Sequence, residues 1–179
     1  MPNRKVGDEH IELLLVFPSG TSIKDNMRLD LSYEWASNPR KRSHRFLGLY
    51  DRKTIWYVGK VEAITAASYQ NGHVEYADKA EVGRLTDGHR TRIERAFEET
   101  VVYNLKDGVA RRFYLVDTFC GTEAIKTSPG GMRSIRYFEL EDFELSKAAY
   151  KPHKDSKDYT SEEMAKTLRG ATWSAKAKT

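Results

Sequence analysis

The sequence predicts an α+β fold: a mixed, mainly antiparallel small β-barrel or strongly bent sheet, with one main amphipathic helix at about 86–106 and a short C-terminal helix. Three observations carry that prediction. Short β-branched and aromatic runs recur between turn signals, a four-residue apolar recurrence marks one helix, and capping-box spacing at Thr160–Glu163 marks another.

His10–Phe17 is nearly all apolar and reads as a buried strand, closed by Pro18, Ser19 and Gly20. Asp25–Trp35 is ambiguous, because Leu29, Leu31 and Tyr33 alternate with polar residues over a short span. Ser37–Ser43 is polar and contains Pro39, which marks a loop. Arg45–Tyr50 and Thr54–Val61 form two arms around Asp51-Arg52-Lys53, and the second arm continues toward Ala66. Asn71-Gly72 signals a further hairpin, since both residues tolerate positive φ.

Ile93, Phe97, Val101 and Leu105 place one apolar stripe on a helix over Thr86–Lys106, with Thr86 or Asp87 as its cap and Asp107-Gly108 as its stop. Arg112–Asp117 and Ser134–Leu140 read as strands flanking the Gly-rich stretch Lys126–Arg133, and Glu139–Glu144 as an exposed strand end. Residues 1–150 are expected to form one barrel-like domain. Residues 151–179 are expected to form a basic linker, a short helix and a mobile tail from Ala171.

With 179 residues and 39% hydrophobic content the chain can bury a core. It has no apolar run of the roughly 20 residues that a membrane helix requires, and its first residues lack the apolar stretch of a signal peptide. A cytoplasmic protein, nuclear in a eukaryote, is the expectation. One cysteine, Cys120, excludes an internal disulfide and reads as a structural thiol. The five histidines are dispersed, so no metal and no cofactor are expected.

The formal charge of +4 is unevenly spread. Between residues 40 and 60 seven basic side chains face only Asp51. Clustered cations neutralise phosphate and aromatic faces stack on bases, so the stretch points to nucleic acid, DNA or RNA. Arg40, Lys41, Arg42, Arg45 and Lys53 are the candidate phosphate ligands, with Trp56 or Tyr57 stacking. Lys126, Ser128 and Arg133 are candidates for a second phosphate on the glycine turn.

Gly48-Leu49-Tyr50 and Tyr57-Val58-Gly59 resemble the paired triplets of GIY-YIG endonucleases, although only six residues separate them and no arginine-bearing helix follows. The resemblance implies an alternative, a divergent metal-dependent nuclease using Tyr50, Tyr57 and Glu94 or Glu98. Close-packed glycines in a hairpin explain the same letters. A third alternative is a non-enzymatic phage or host-defence factor whose basic surface meets an acidic protein partner.

The ordering of short strands over about residues 10–145, with Tyr57–Val61, the amphipathic helix and the two late strands, resembles PUA-like barrels of the ASCH and EVE types. That resemblance implies a small mixed barrel with flanking helices, and a cleft beside it that binds RNA or a modified DNA base. The leading expectation is therefore a nucleic-acid-binding module, not an enzyme, that reads a modified or flipped-out base.

Overall fold

The computed structural model describes residues 12–39, 43–100, 104–147, 149 and 158–174. The fold is α+β: three helices among the described residues, and a mostly antiparallel, strongly curled sheet that forms a half-barrel. Among these residues no helix is long and apolar enough to cross a membrane.

The elements in chain order are β1 (Glu12–Pro18), α1 (Ile23–Leu29), β2 (Leu31–Trp35), β3 (His44–Asp51), β4 (Thr54–Gln70), β5 (His73–Tyr76) and β6 (Val82–Gly83). They continue with α2 (Asp87–Glu99), β7 (Arg111–Val116), β8 (Cys120–Lys126), β9 (Arg136–Phe138), β10 (Phe143–Glu144), α3 (Ser161–Leu168) and β11 (Thr172–Trp173). Strand β4 is the spine. Its first half pairs with β3 on one side and β8 on the other, and its second half pairs with β7, β5 and β6. The order β10-β11-β8-β4-β3-β1-β9 describes one arm of the curl, while β2 lies outside β7 on the other. Strands β1 and β3 run parallel, as do β11 and β8.

Both faces of the sheet are covered, which explains the unbroken apolar run of β1. Leu15, Phe17, Leu47, Leu49, Tyr114 and Val116 fill the inside of the curl. Leu14, Val16, Phe46 and Tyr50 point the other way, toward α3 and Trp173. Phe113 and Leu115 of β7 pack against Ile93, Ala96 and Phe97 of α2. Gly59 shows why the hairpin glycines are close-packed: a Cβ there would lie 2.7 Å from Val116 Cγ2 and 2.8 Å from the Thr118 carbonyl oxygen.

Both expected hairpins are present. Arg52 (φ 47°) and Lys53 (φ 68°) make a two-residue turn closed by Asp51 and Thr54. Asn71 (φ 51°) and Gly72 (φ 86°) make the second, closed by Gln70 and His73.

Several expectations are corrected. The main helix stops at Glu99, with Thr100 already extended (ψ 110°), whereas the apolar recurrence predicts helix to Lys106. Leu105 is buried but lies in a turn; the β-branched run Thr100-Val101-Val102 favours extended backbone, and residues 101–103 lie outside the described residues. Thr86 is the cap, accepting from the His89 N–H at 3.2 Å while His89 Nδ1 accepts from the Thr86 N–H.

The ambiguous Asp25–Trp35 stretch divides at Asp30 (φ 49°) into α1 and β2. Ser134–Leu140 contributes only the three residues of β9, and Glu139–Glu144 is a 3-10 turn followed by β10. Strand β8, from Cys120 to Lys126, precedes the Gly-rich stretch. The expected mobile tail is ordered as far as Trp173, which is 1% exposed and packs on Phe138 with ring centroids 4.8 Å apart.

Candidate functional site

The half-barrel does not close. Strand β9 ends one arm and β2 ends the other, and the gap between these edges holds a cleft of about 500 Å³. Ligand pockets fall in this size range. Its wall comes from Phe17, Pro18 and Ser19 at the end of β1, Ser22 and Asn26 around α1, Ser32–Trp35 of β2, Arg111 of β7, and Arg133 and Ile135 before β9.

Local sequence positions each group. Strand alternation turns Leu31 and Tyr33 toward α2, so Ser32 and Glu34 face the inside of the curl. Glu34 is buried there: Tyr114 Oη donates to its Oε1 at 2.5 Å and Asn38 Nδ2 donates to its Oε2 at 2.8 Å. Burial and the Glu34 carboxylate push the Tyr114 phenol well above its usual range. Arg112 stands 3.5 Å from Glu34, pairs with Glu81 at 2.8 Å and donates to the carbonyls of Ala36 and Asn38. That guanidinium therefore staples the turn that follows β2.

At the lip, the Arg111 guanidinium lies over the Trp35 ring, 3.6 Å from its centroid, and pairs with Asp107 at 2.8 Å. The bonds from Arg111 and the Val109 N–H hold the Asp107 carboxyl below the usual carboxylate range. Trp35 is 48% exposed, the most open large apolar side chain among the described residues. Arg133 is exposed and forms no ion pair among the described residues.

Helix α1 carries Ile23, Asn26 and Leu29 at three-residue spacing on its inner side, so Asn26 occupies an interior position between two apolar ones. Its frame is rigid. The Asp30 carboxylate accepts from the Phe119 N–H at 2.8 Å, and Arg92 of α2 donates to the Asp30 and Val116 carbonyls.

A second hollow of about 360 Å³ shares Pro18 and Ser19 with the cleft, and is lined further by Thr21, Tyr50, Arg52, Lys53 and Gly131. The two hollows share the Pro18-Ser19 end of β1, with Arg111 and Arg133 lining one and Arg52 and Lys53 the other.

The predicted residues distribute as follows. Arg133 lines the cleft and Lys53 the second hollow. Arg40, Lys41 and Arg42 lie outside the described residues. Arg45 is half-buried on β3, and its Nε has no hydrogen-bond partner among the described residues. Ser128 accepts, through its carbonyl, from Lys126.

Two candidates have their polar atoms engaged elsewhere in the fold. Lys126 is buried, and its ammonium donates to the carbonyls of Ser128, Pro129 and Gly130 at 2.9, 2.9 and 3.0 Å, so its donors are engaged by its own loop. Burial first, and then the nearby Lys53 and Arg136, lower its proton affinity. Trp56 is exposed, as the residue interrupting the β3–β4 register, but its Nε1 donates to the Asp51 carbonyl and it lines neither hollow. Tyr57 packs against the inside of the curl. Of the two exposed tryptophans, Trp35 is the one that lines the cleft.

The residues of the nuclease alternative are not brought together. Tyr50 sits in the α3-facing core with its hydroxyl accepting from the Met132 N–H, Tyr57 packs on the opposite face, and Glu94 on α2 accepts from Tyr76. Among the described residues no group of three or more His, Cys, Asp or Glu side chains converges as a metal site. Burial, then Asp117, push the Cys120 thiol up, which leaves it a weak nucleophile. Compared with protein-family models, with curated proteins and with solved structures, the chain gives no match, and the geometry of the seam is what speaks to function.

Proposed function

We propose that the protein is a nucleic-acid-binding module, active in the cytoplasm or in the nucleus of a eukaryote, which takes one unstacked base into the cleft at the half-barrel seam. The observation that carries this reading is the lip of that cleft, where an exposed Trp35 is braced by the Arg111 guanidinium. A base stacks on a held indole, and sequence-tolerant stacking of this kind contributes about 1–3 kcal/mol per base. Arg133 at the cleft, and Arg52 and Lys53 at the neighbouring hollow, are the candidates for the flanking phosphates. A cleft beside a curled sheet is also what kinship with PUA-like barrels would require, and that kinship belongs to the same proposal.

Binding of labelled single-stranded and duplex DNA and RNA, followed by fluorescence anisotropy across a salt series, tests the reading. Trp35→Ala should weaken single-strand binding by roughly tenfold or more. Arg133→Ala should lower the slope of log affinity against log salt by about 0.7 for single strands. Unchanged affinity and slope in both variants would refute it.

A further inference from the structure

The second hollow gathers more positive charge than a single backbone link of nucleic acid calls for, and the excess says which part of a strand belongs there. The inference rests on the nucleic-acid reading above. Three turns meet at the hollow: Pro18–Thr21 after β1, Asp51–Lys53 between β3 and β4, and Gly131-Met132 of the Gly-rich stretch. Gly20 and Gly131 leave their parts of the wall bare, since a Cβ on either would meet no atom within 4 Å. At two of the three turns a ligand can therefore come close to the backbone.

Arg52 and Lys53 line the hollow and are exposed. The carboxylate on the same wall, Asp51, lies 3.7 Å from Arg52. Two more cations stand close by. Lys53 and Arg136 are near enough to Lys126 that, after burial, they lower its proton affinity. The ammonium of Lys126 is held by neutral carbonyls, so its charge is not cancelled. Lys53, Lys126 and Arg136 form no ion pair among the described residues. Four cations are thus set against one carboxylate. Like charges gathered in this way repel each other, and a bound anion relieves that cost.

We propose that this hollow binds a terminal phosphate, the monoester at the end of a strand, beside the cleft that takes the base. A phosphodiester link carries a single negative charge. A terminal monoester carries about −1.5 to −2 near pH 7 and offers three acceptor oxygens, which suits a site with surplus cations. Arg52 and Lys53 are the direct ligands, while Lys126 and Arg136 act through their field. Because both hollows share Pro18 and Ser19, phosphate and base sit side by side, as they do in one nucleotide. Phosphate at a 5′ end and at a 3′ end has this same chemistry.

The test is anisotropy with single-stranded decamers of one sequence, in DNA and in RNA, that end in a 5′-phosphate, a 3′-phosphate or hydroxyls only. One phosphorylated form should bind roughly tenfold more tightly than the hydroxyl form, and which one does so gives the strand polarity. A hydroxyl-ended dodecamer carries about the same charge as a phosphorylated decamer, so its weaker binding separates recognition of the end from general attraction. Capping the terminal phosphate as its methyl ester should remove most of the gain. Arg52→Gln with Lys53→Gln, checked for an unchanged urea midpoint, should bring the ratio of phosphorylated to hydroxyl decamer close to one, and Arg136→Gln should lower it by a smaller factor. Binding of all end forms within twofold, or a ratio that survives the double substitution, would overturn the end site while leaving the module reading in place. Failure of every strand to bind would overturn both.

Discussion

Replacing Trp173 tests how the chain's last described strand contributes to the fold. The indole is 1% exposed, lies edge-on to Phe138 and Tyr50 at centroid distances of 4.8 and 6.0 Å, and donates through Nε1 to the Ala124 carbonyl at 3.4 Å. Trp173→Ala removes the largest fully buried side chain and leaves a cavity among Phe138, Phe143, Met164 and Leu168. Core Trp→Ala changes cost about 3–5 kcal/mol, against a total of about 5–15 kcal/mol for a domain. With a urea m-value near 2 kcal/mol per M, the midpoint should fall by about 2 M. Equilibrium urea unfolding followed by far-UV circular dichroism measures this, since the signal does not depend on the deleted indole. A midpoint lowered by less than about 0.5 M would show that Trp173 is not part of the core, and that residues after 170 behave as a tail.

Two further outcomes follow from the clasp and the lip. Lys126→Met should cost about 1–3 kcal/mol and speed proteolytic cleavage within 127–133, because three carbonyl oxygens lose their shared donor; an unchanged midpoint and cleavage rate would refute it. For Asp107 the folded carboxyl binds its proton less readily than the unfolded one, so the Arg111 pair stabilises fully above the usual aspartate range and this is lost as pH falls through the lowered value. Asp107→Asn should therefore flatten part of the fall in urea midpoint between about pH 5 and pH 3. An acid slope identical to the parent's would contradict it.

Long apolar and β-branched strands such as β1 and β7 were legible in the sequence, as were the turns and caps whose hydrogen bonds close locally. The Arg52-Lys53 and Asn71-Gly72 turns, the Thr86 cap and the Thr160 capping box each satisfy donors within about four residues, and each is where the letters put it. What escaped depends on distant partners. Strands β6, β9, β10 and β11 have two or three residues, too few to show a period, and exist only because β4, β1, β8 or one another lie beside them. The overlong helix has another cause: apolar recurrence reports burial, and Leu105 is buried without being helical. At the site, Lys53 and Arg133 were visible as charges, but charge alone could not tell Arg133 at the cleft from Lys126 turned onto its own loop. Trp35 and Trp56 are both exposed, and only the curl of the sheet decides which of them meets the cleft. Asn26 did carry a signal, a polar residue on an apolar helical stripe, which the strand-like alternation of Leu29, Leu31 and Tyr33 concealed.

The two-sided spine has a kinetic consequence. Strand β4 needs partners from His44 through Lys126, and β1 finds its outer partner only at Arg136–Phe138. Only the two tight hairpins can zip early; every other ladder must wait for the closure of a long loop. High contact order of this kind belongs to chains that fold in about milliseconds to seconds, with unpaired edges exposed meanwhile. The seam between β2 and β9 is thus a place where nascent chains could pair with each other before the curl is complete, and an occupant of the cleft would shield the same edges that folding leaves open.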